Sequence, residues 1–283
     1  MLDPKEGEVV IDGTAGAGGH SEAILKHAKV TLLSVDADDE AVATTQLRLQ
    51  KLGERAHNAS VVRGNFADLK SIAHTQHLKE VNKILLDLGW NMGQLSSGRG
   101  FSFLHDEPLN MSYGEKPASG FTAAEVLNMW SEKAIADALF GYGEERYARR
   151  IARAVAARRE IAPIETTLEF VEIINDSVPS FYRHGKIHPA TKSFQALRIA
   201  VNDELGVLEK FLKDSLGILT KEGRIAIITF HSIEDRLVKQ TFARWAKEKK
   251  AKLLSKKPIT ATQTEITTNR PSRSAKLRGI EKL

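Results

Sequence analysis

The 283-residue chain contains no cysteine. Disulfides, thiol nucleophiles and zinc–thiolate sites are therefore excluded. No apolar run is long enough to span a bilayer, and no charged-then-apolar leader opens at Met1, so no membrane partner is expected and the expected compartment is cytoplasmic. The nine histidines are expected to hold no metal. No internal repeat is visible. What is present is a hydrophobic fraction of 42%, enough for a true core, in a length that suits one large α/β domain with an insertion, or two domains.

An apolar run, Val9-Val10-Ile11, ends in Asp12 and passes into Gly13-Thr14-Ala15-Gly16-Ala17-Gly18-Gly19-His20-Ser21, followed by a helix-compatible stretch to His27. Strand, glycine-rich turn and helix start is how an α/β nucleotide-type site begins, and a glycine lets a ligand approach main chain. Three further runs follow: Val30 to Asp36, Ser60 to Phe66 and Lys83 to Gly89, with a helical stretch from Asp39 to Leu52. Strands alternating with helices predict a parallel sheet covered on both faces, with ligands beyond the carboxyl ends of the strands. Asp12, Asp36, Phe66 and Asp87 all fall at those ends. A fifth strand is predicted from Gly223 to Phe230, which brings His231 and Ser232 to the same rim.

A dinucleotide fingerprint requires G-x-G-x-x-G, and here the third glycine is missing from its place. Asp36 suits a ribose diol in either type of cofactor. Asp87-Leu88-Gly89-Trp90, an acid with an aromatic three residues on, favours S-adenosyl-L-methionine, since a carboxylate can accept from an exocyclic amine while a ring stacks on its base. An NAD-linked enzyme is the weaker reading.

Between Leu104 and Ile187 the alternation lapses into helical patterns, Thr122–Met129, Ser131–Phe140, Glu144–Glu160 and Thr166–Asn175, punctuated by Pro108, Pro117, Pro163 and Pro179. The expected division is 1–103 with 188–283 for the sheet domain and 104–187 for a helical insertion. A long helical pattern runs from His188 through Leu216, and the Lys- and Thr-rich stretch 249–268 reads as an exposed mobile segment. The net charge is +5, but the cations cluster: Arg146, Arg149, Arg150 and Arg153 at helical spacing, Lys247 to Lys257, and Arg270 to Arg278. Three such clusters beside a cofactor fold predict a polyanionic partner, nucleic acid.

Taken together, Asp12-Gly13-Thr14, Gly18-Gly19-His20-Ser21, Leu86-Asp87-Leu88-Gly89, Gln94-Leu95, Arg99-Gly100-Phe101-Ser102-Phe103, Tyr142-Gly143-Glu144-Glu145, His188-Pro189-Ala190-Thr191, Phe194 to Ile199, Asn202-Asp203-Glu204-Leu205, Phe230-His231-Ser232 and Arg273 to Arg278 run in order along almost the whole chain. In these the chain resembles the RsmH (MraW) family, which methylates N4 of a cytidine in the decoding region of small-subunit ribosomal RNA. The resemblance implies a Rossmann-like class I methyltransferase sheet with an inserted, mainly helical domain thought to help hold RNA. It also implies a donor site lined by Gly16, Gly18, Gly19, His20, Asp36, Phe66, Asp87 and Gln94, and a substrate that is small-subunit rRNA or the 30S particle.

Departures from the family pattern are Trp90-Asn91-Met92, where a small apolar residue and two serines are usual, and Asn110-Met111-Ser112, which lacks the usual acid and base. They motivate an alternative, a non-catalytic RNA-binding ribosome-assembly factor. The candidate catalytic residues are Asp87, or a backbone carbonyl at Leu88 or Gly89, as acceptor of the amine protons, Trp90 as a stacking platform and His231 as substrate contact or proton relay. Arg198 and Asn202, one helical turn apart, are expected either to steady the junction between domains or to form a surface pair. Monomer and homodimer both stay open.

Overall fold

The structure, a computed structural model, describes residues 1–90, 92–95, 97–114 and 116–283. It divides into two compact units, residues 1–89 with 205–283, and residues 90–204.

In the first unit, β1 (Val9–Asp12), β2 (Thr31–Asp36), β3 (Ala59–Arg63), β4 (Val81–Asp87) and β5 (Leu219–Thr229) pair in parallel in the order β3-β2-β1-β4-β5. Helices α1 (Gly19–His27), α2 (Asp39–Gln50) and α3 (Leu69–Thr75) connect the first four strands. This is a Rossmann-like α/β sheet, and its strands read as unbroken apolar runs because both faces are covered. Adjacent residues point to opposite sides. Val10, Leu32 and Leu85 pack with Ile24 and Leu25 of α1 and Leu49 of α2. Ile11, Leu33, Ile84 and Leu86 meet Leu69 of α3 on the other face.

The second unit is helical: α4 (Met92–Leu95), α5 (Ala123–Met129), α6 (Glu132–Gly143), α7 (Ala148–Arg159), α8 (Thr167–Ser177), α9 (Ser180–Arg183) and α10 (Thr191–Asn202). Its boundaries at Trp90 and Glu204 lie outside the expected 104 and 187. The physical reason is packing. Phe101, Leu109, Phe194, Leu197 and Val201 share one apolar cluster with Val126, Leu139, Ile151 and Phe170. Gly143 on α6 lies so close to the Lys192 carbonyl of α10 that a Cβ there would collide with it. Arg198 and Asn202 do not form a surface pair: both are buried. Within this unit Arg198 makes a bidentate pair with Glu204 at 2.7 and 2.9 Å. Asn202 donates to the Met111 carbonyl and accepts from Tyr113 N–H, both at 2.8 Å.

The long pattern from His188 to Leu216 is two helices, because Asp203 turns left-handed at φ 47° before α11 (Glu204–Ile218). Then come β5, α12 (Ser232–Lys247), β6 (Ala251–Leu253), β7 (Ile259–Thr260), α13 (Gln263–Thr268) and β8 (Lys276–Lys282). The segment 249–268 is largely exposed, as expected, but it carries β6, β7 and α13, and both strands pair with β8. Strand β8 itself runs antiparallel beside β5. Its sequence, Lys-Leu-Arg-Gly-Ile-Glu-Lys, reads as a basic tail, yet it forms a strand because its charges find partners within the unit. Arg278 meets Asp235 at 2.7 and 3.1 Å, Lys276 meets it at 3.4 Å, and Glu281 accepts from Arg224 at 2.8 Å.

Burial alone would raise the Asp235 carboxyl, but Arg278 and then Lys276 outweigh it and hold the group below its ordinary range. A lowered folded value means that the stabilisation is complete above the unfolded carboxylate range. It disappears as pH falls through the folded value. Asp235→Asn is expected to cost about 3 kcal/mol at neutral pH, as a nearly buried pair losing one partner does. The deficit should shrink progressively below about pH 4, which urea denaturation across that range will measure.

Candidate active site

The carboxyl rim of the parallel strands is where the first unit gathers its chemistry. Asp12, Asp36 and Asp87 are the last residues of β1, β2 and β4, and Phe66 lies in a short turn just after β3. The turn between β1 and α1 is held by two of these carboxylates. Asp12, fully buried, accepts from the Ser21 hydroxyl at 2.6 Å and from Thr14 N–H at 3.3 Å. Burial pushes its carboxyl up, and the Ser21 hydroxyl pulls it part of the way back. Asp36 accepts from Gly16 N–H at 2.8 Å and Asp38 N–H at 3.0 Å. Burial is again the leading influence and raises it.

Beside the expectation that a Cβ would obstruct a ligand, the glycines answer a need of the turn itself. Gly16 and Gly18 have φ 53° and 77°, which favour glycine. A Cβ at Gly18 would press on Thr45 and the Arg48 side chain of α2, at 3.1–3.2 Å. The Thr45 hydroxyl donates to the Gly16 carbonyl at 3.0 Å, tying α2 to the turn. Gly19 is exposed, and a Cβ there would make only ordinary contact with Arg48. Helix α1 starts with no side-chain cap, so its first-turn N–H groups are left to solvent or to a ligand.

Asp87 and His20 meet across the mouth of the turn, with His20 Nε2 3.4 Å from Asp87 Oδ2. The hydrogen bond to Asp87 raises the His20 imidazole above its ordinary value, against burial, which opposes the charge. The other oxygen, Asp87 Oδ1, is buried and has no hydrogen-bond partner among the described residues. Asp87 N–H donates to the Thr14 hydroxyl at 2.6 Å, a contact the sequence reading missed although Asp-Gly-Thr was in view. Phe66 packs edge-on against Phe211, with ring centroids 5.9 Å apart.

His231 reaches the rim but is engaged in structure. It is the N-cap of α12 in a reciprocal capping box, its Nδ1 accepting from Glu234 N–H at 3.4 Å. Its Nε2 is 3.1 Å from Glu234 Oε1, within ion-pair range but outside hydrogen-bond geometry. Trp90 and Gln94 belong to the second unit. Trp90 is 39% exposed and Gln94 is buried. Asn91 lies outside the described residues. Asn110, where the family pattern has an acid, accepts from Ser112 N–H at 2.9 Å and closes a local turn.

His184 and His188 stand four apart, a spacing that pairs metal ligands when it falls on a helix. Here residues 184–187 form a turn, and the His188 ring stacks on Phe103 at 4.5 Å.

The donor set of the rim fits an adenosyl ligand. It offers a carboxylate for a ribose diol, a ring beside it, an uncapped helix start and an unpartnered buried carboxylate oxygen. Comparison with known proteins agrees in kind. The sequence model of the MraW methylase family matches residues 1–283. The ribosomal RNA small subunit methyltransferase H of Synechocystis is 45% identical, over 100% of this chain and 90% of its own. The protein of the same name from Carboxydothermus hydrogenoformans is 42% identical, over 100% and 94%. A solved rRNA methylase from Streptococcus thermophilus is similar over 98% of this chain and 87% of its own, with 11% identity and a TM-score of 0.45. With its entire length matched and two-fifths or more of its residues shared with such relatives, this chain belongs to the MraW methylase family.

Proposed function

We propose that the chain is an S-adenosyl-L-methionine-dependent rRNA methyltransferase that modifies N4 of a cytidine in the decoding region of small-subunit rRNA. The observation that carries the reading is Asp87. It closes β4 within a family of methylases, one oxygen facing His20 and the other buried and unpaired.

The donor, when bound, supplies a methyl already activated on a sulfonium, so no metal or covalent enzyme intermediate is required. The chain must bind, orient and exclude water. Asp36 takes ribose hydroxyls with the lone pairs left over from Gly16 and Asp38, Phe66 lies against the adenine, and the turn at Gly16, Gly18 and Gly19 presents backbone to the amino-acid moiety. Gln94, in the second unit, is the remaining residue that the family resemblance assigns to the donor. The cytosine amine is a poor nucleophile because its lone pair is delocalised into the ring. Asp87 accepts hydrogen bonds from the amine, which tilts its lone pair toward the methyl, and takes the one proton that the nitrogen must lose. Alignment of this kind can lower a barrier by about 7–11 kcal/mol. Trp90, next in the chain after Gly89, stacks on the base once it has left its helix, as base-modifying enzymes require. His231, engaged as a cap, positions the start of α12 next to the rim. The helical unit helps to hold RNA.

Transfer of labelled methyl to small-subunit RNA, followed by mass spectrometry of the decoding-region cytidine, tests the reading. RNA binding without transfer would favour the assembly-factor alternative that Asn110 and Trp90 motivate. Asp87→Asn is expected to lower turnover by about two to four orders of magnitude while calorimetry still detects donor binding. Turnover equal to wild type would remove Asp87 from the chemistry.

The His20–Asp87 pair sets a pH dependence. Below its raised value His20 is an imidazolium held by Asp87, and this contact stabilises the fold there. As pH rises through that value the charge and its stabilisation are lost, and Asp87 is released to serve the amine. Methyl transfer should therefore rise with pH along a limb centred above about 6.5. His20→Gln should erase that limb, and an identical profile in the variant would show that His20 does not control Asp87.

A further inference from the structure

The cationic clusters differ in how far they are already neutralised. Among the tail cations, Lys276 and Arg278 are matched by Asp235, Lys252 by Glu281 and Lys250 by Glu248, while Lys247, Lys249, Lys256, Lys257, Arg270 and Arg273 have no ion pair among the described residues. Around the start of α7 unmatched cations come together with aromatic rings. Arg146, Arg149 and Arg150 are exposed, and among the described residues none of the three has an ion-pair partner. Arg153 comes no nearer than 4.0 Å to Glu132. The adjacent acid, Glu145, is fully buried. Its carboxylate accepts from Tyr147 N–H at 2.8 Å and the Tyr182 hydroxyl at 2.6 Å, so it faces inward. Glu144 is the exposed acid beside the stretch.

The same arginines lie on aromatic rings. The Arg146 guanidinium carbon is 4.9 Å from the ring centres of Tyr147 and Tyr182 and 5.4 Å from that of Phe181. Arg150 lies 5.9 Å from Tyr147. The two tyrosines meet edge to face at 5.0 Å, and the Glu145 bond fixes Tyr182. Phe181 stands on this anchored group, 67% exposed, with exposed Arg183 and Lys186 just beyond.

We propose that Phe181, flanked by Arg146, Arg149, Arg150 and Arg183, is a stacking platform for an unpaired RNA base, with the flanking phosphates held by the arginines. The inference rests on the rRNA methyltransferase reading and assigns part of its substrate contact to the second unit. Exposed ring faces beside unmatched guanidinium groups are what a single strand needs, since every base has a π-face and every linkage a negative charge. A second copy of the chain fits less well, because two such faces would bring like charges together.

The test is binding of a fluorescein-labelled single-stranded RNA carrying the target cytidine, measured by anisotropy. Phe181→Ala is expected to weaken binding about tenfold, and Phe181→Trp to restore it, with donor affinity unchanged in both. Arg149→Ala with Arg150→Ala should lower the log–log salt slope by about 1.4. Ile161→Ser, an exposed apolar site in the same unit, should bind as wild type does. RNA affinity unaltered in Phe181→Ala, or not restored by Trp, overturns the inference. So does a dimer lost in Phe181→Ala while RNA affinity stays. Wild-type protein that neither binds nor methylates the RNA overturns the methyltransferase reading itself, a distinct result.

Discussion

Negative charge held at the ends of parallel strands is the constraint around which the first unit is organised. Asp12 and Asp36 each place a carboxylate against backbone N–H groups of the first turn, through Thr14 and Gly16. Buried carboxylates are tolerated only when such partners are supplied. The turn is therefore shaped by its acids as much as by its glycines. Asp12 also fastens the turn to α1 through Ser21, whose hydroxyl lies 2.8 Å from that of Ser34 on β2. The first two strands and the first helix thus share one polar network under the rim. Asp87 is joined to the same turn through the Thr14 hydroxyl, and it alone of the three keeps a buried oxygen free of a partner. Two acids build the cradle, and the third keeps an oxygen that the cradle does not use.

The parallel part of the fold was legible because each strand is a short apolar run stopped by an acid or a turn. Val9 to Asp12, Val30 to Asp36 and Lys83 to Asp87 could hardly pack otherwise. The antiparallel part was not, and the reason is charge. In β8 every second side chain or more is ionic, and only the pairing of Arg278 with Asp235 and of Arg224 with Glu281 turns a basic tail into a strand. Neither pairing is local, since Arg224 and Asp235 lie more than forty residues before their partners. Periodicity also ran straight through Asp203, where a left-handed residue breaks one apparent helix into two.

Much the same division holds for the rim. Asp12, Asp36, Phe66 and Asp87 were placed by strand ends alone, because a run of alternating strands and helices fixes which edge a terminal residue reaches. His20 came only through family resemblance, since nothing in a lone histidine foretells a carboxylate 67 residues further on. His231 shows the limit of reasoning from position. Its location at the end of β5 is as read, but its Nδ1 caps α12 while its Nε2 makes no hydrogen bond. Histidine is seldom the residue that caps a helix, so the sequence carried no hint of that use. Around Arg146 the opposite happened. The arginines were visible at helical spacing, but two of the three rings beneath them, Phe181 and Tyr182, come from a separate short helix, and spacing along one helix cannot show what another brings to it.

The interleaving of the two units has a consequence for how the protein is made. The second unit is one uninterrupted stretch, whereas the sheet needs both ends of the chain. A ribosome working at about 5–20 residues per second would expose β4 with one edge bare for on the order of ten seconds before β5 emerged. β8, which lies between β5 and β6, arrives last of all. Open strand edges invite pairing with the wrong chain. While nascent, the polypeptide is therefore a half-built sheet waiting behind a finished helical module, and its demand on chaperones falls in that interval.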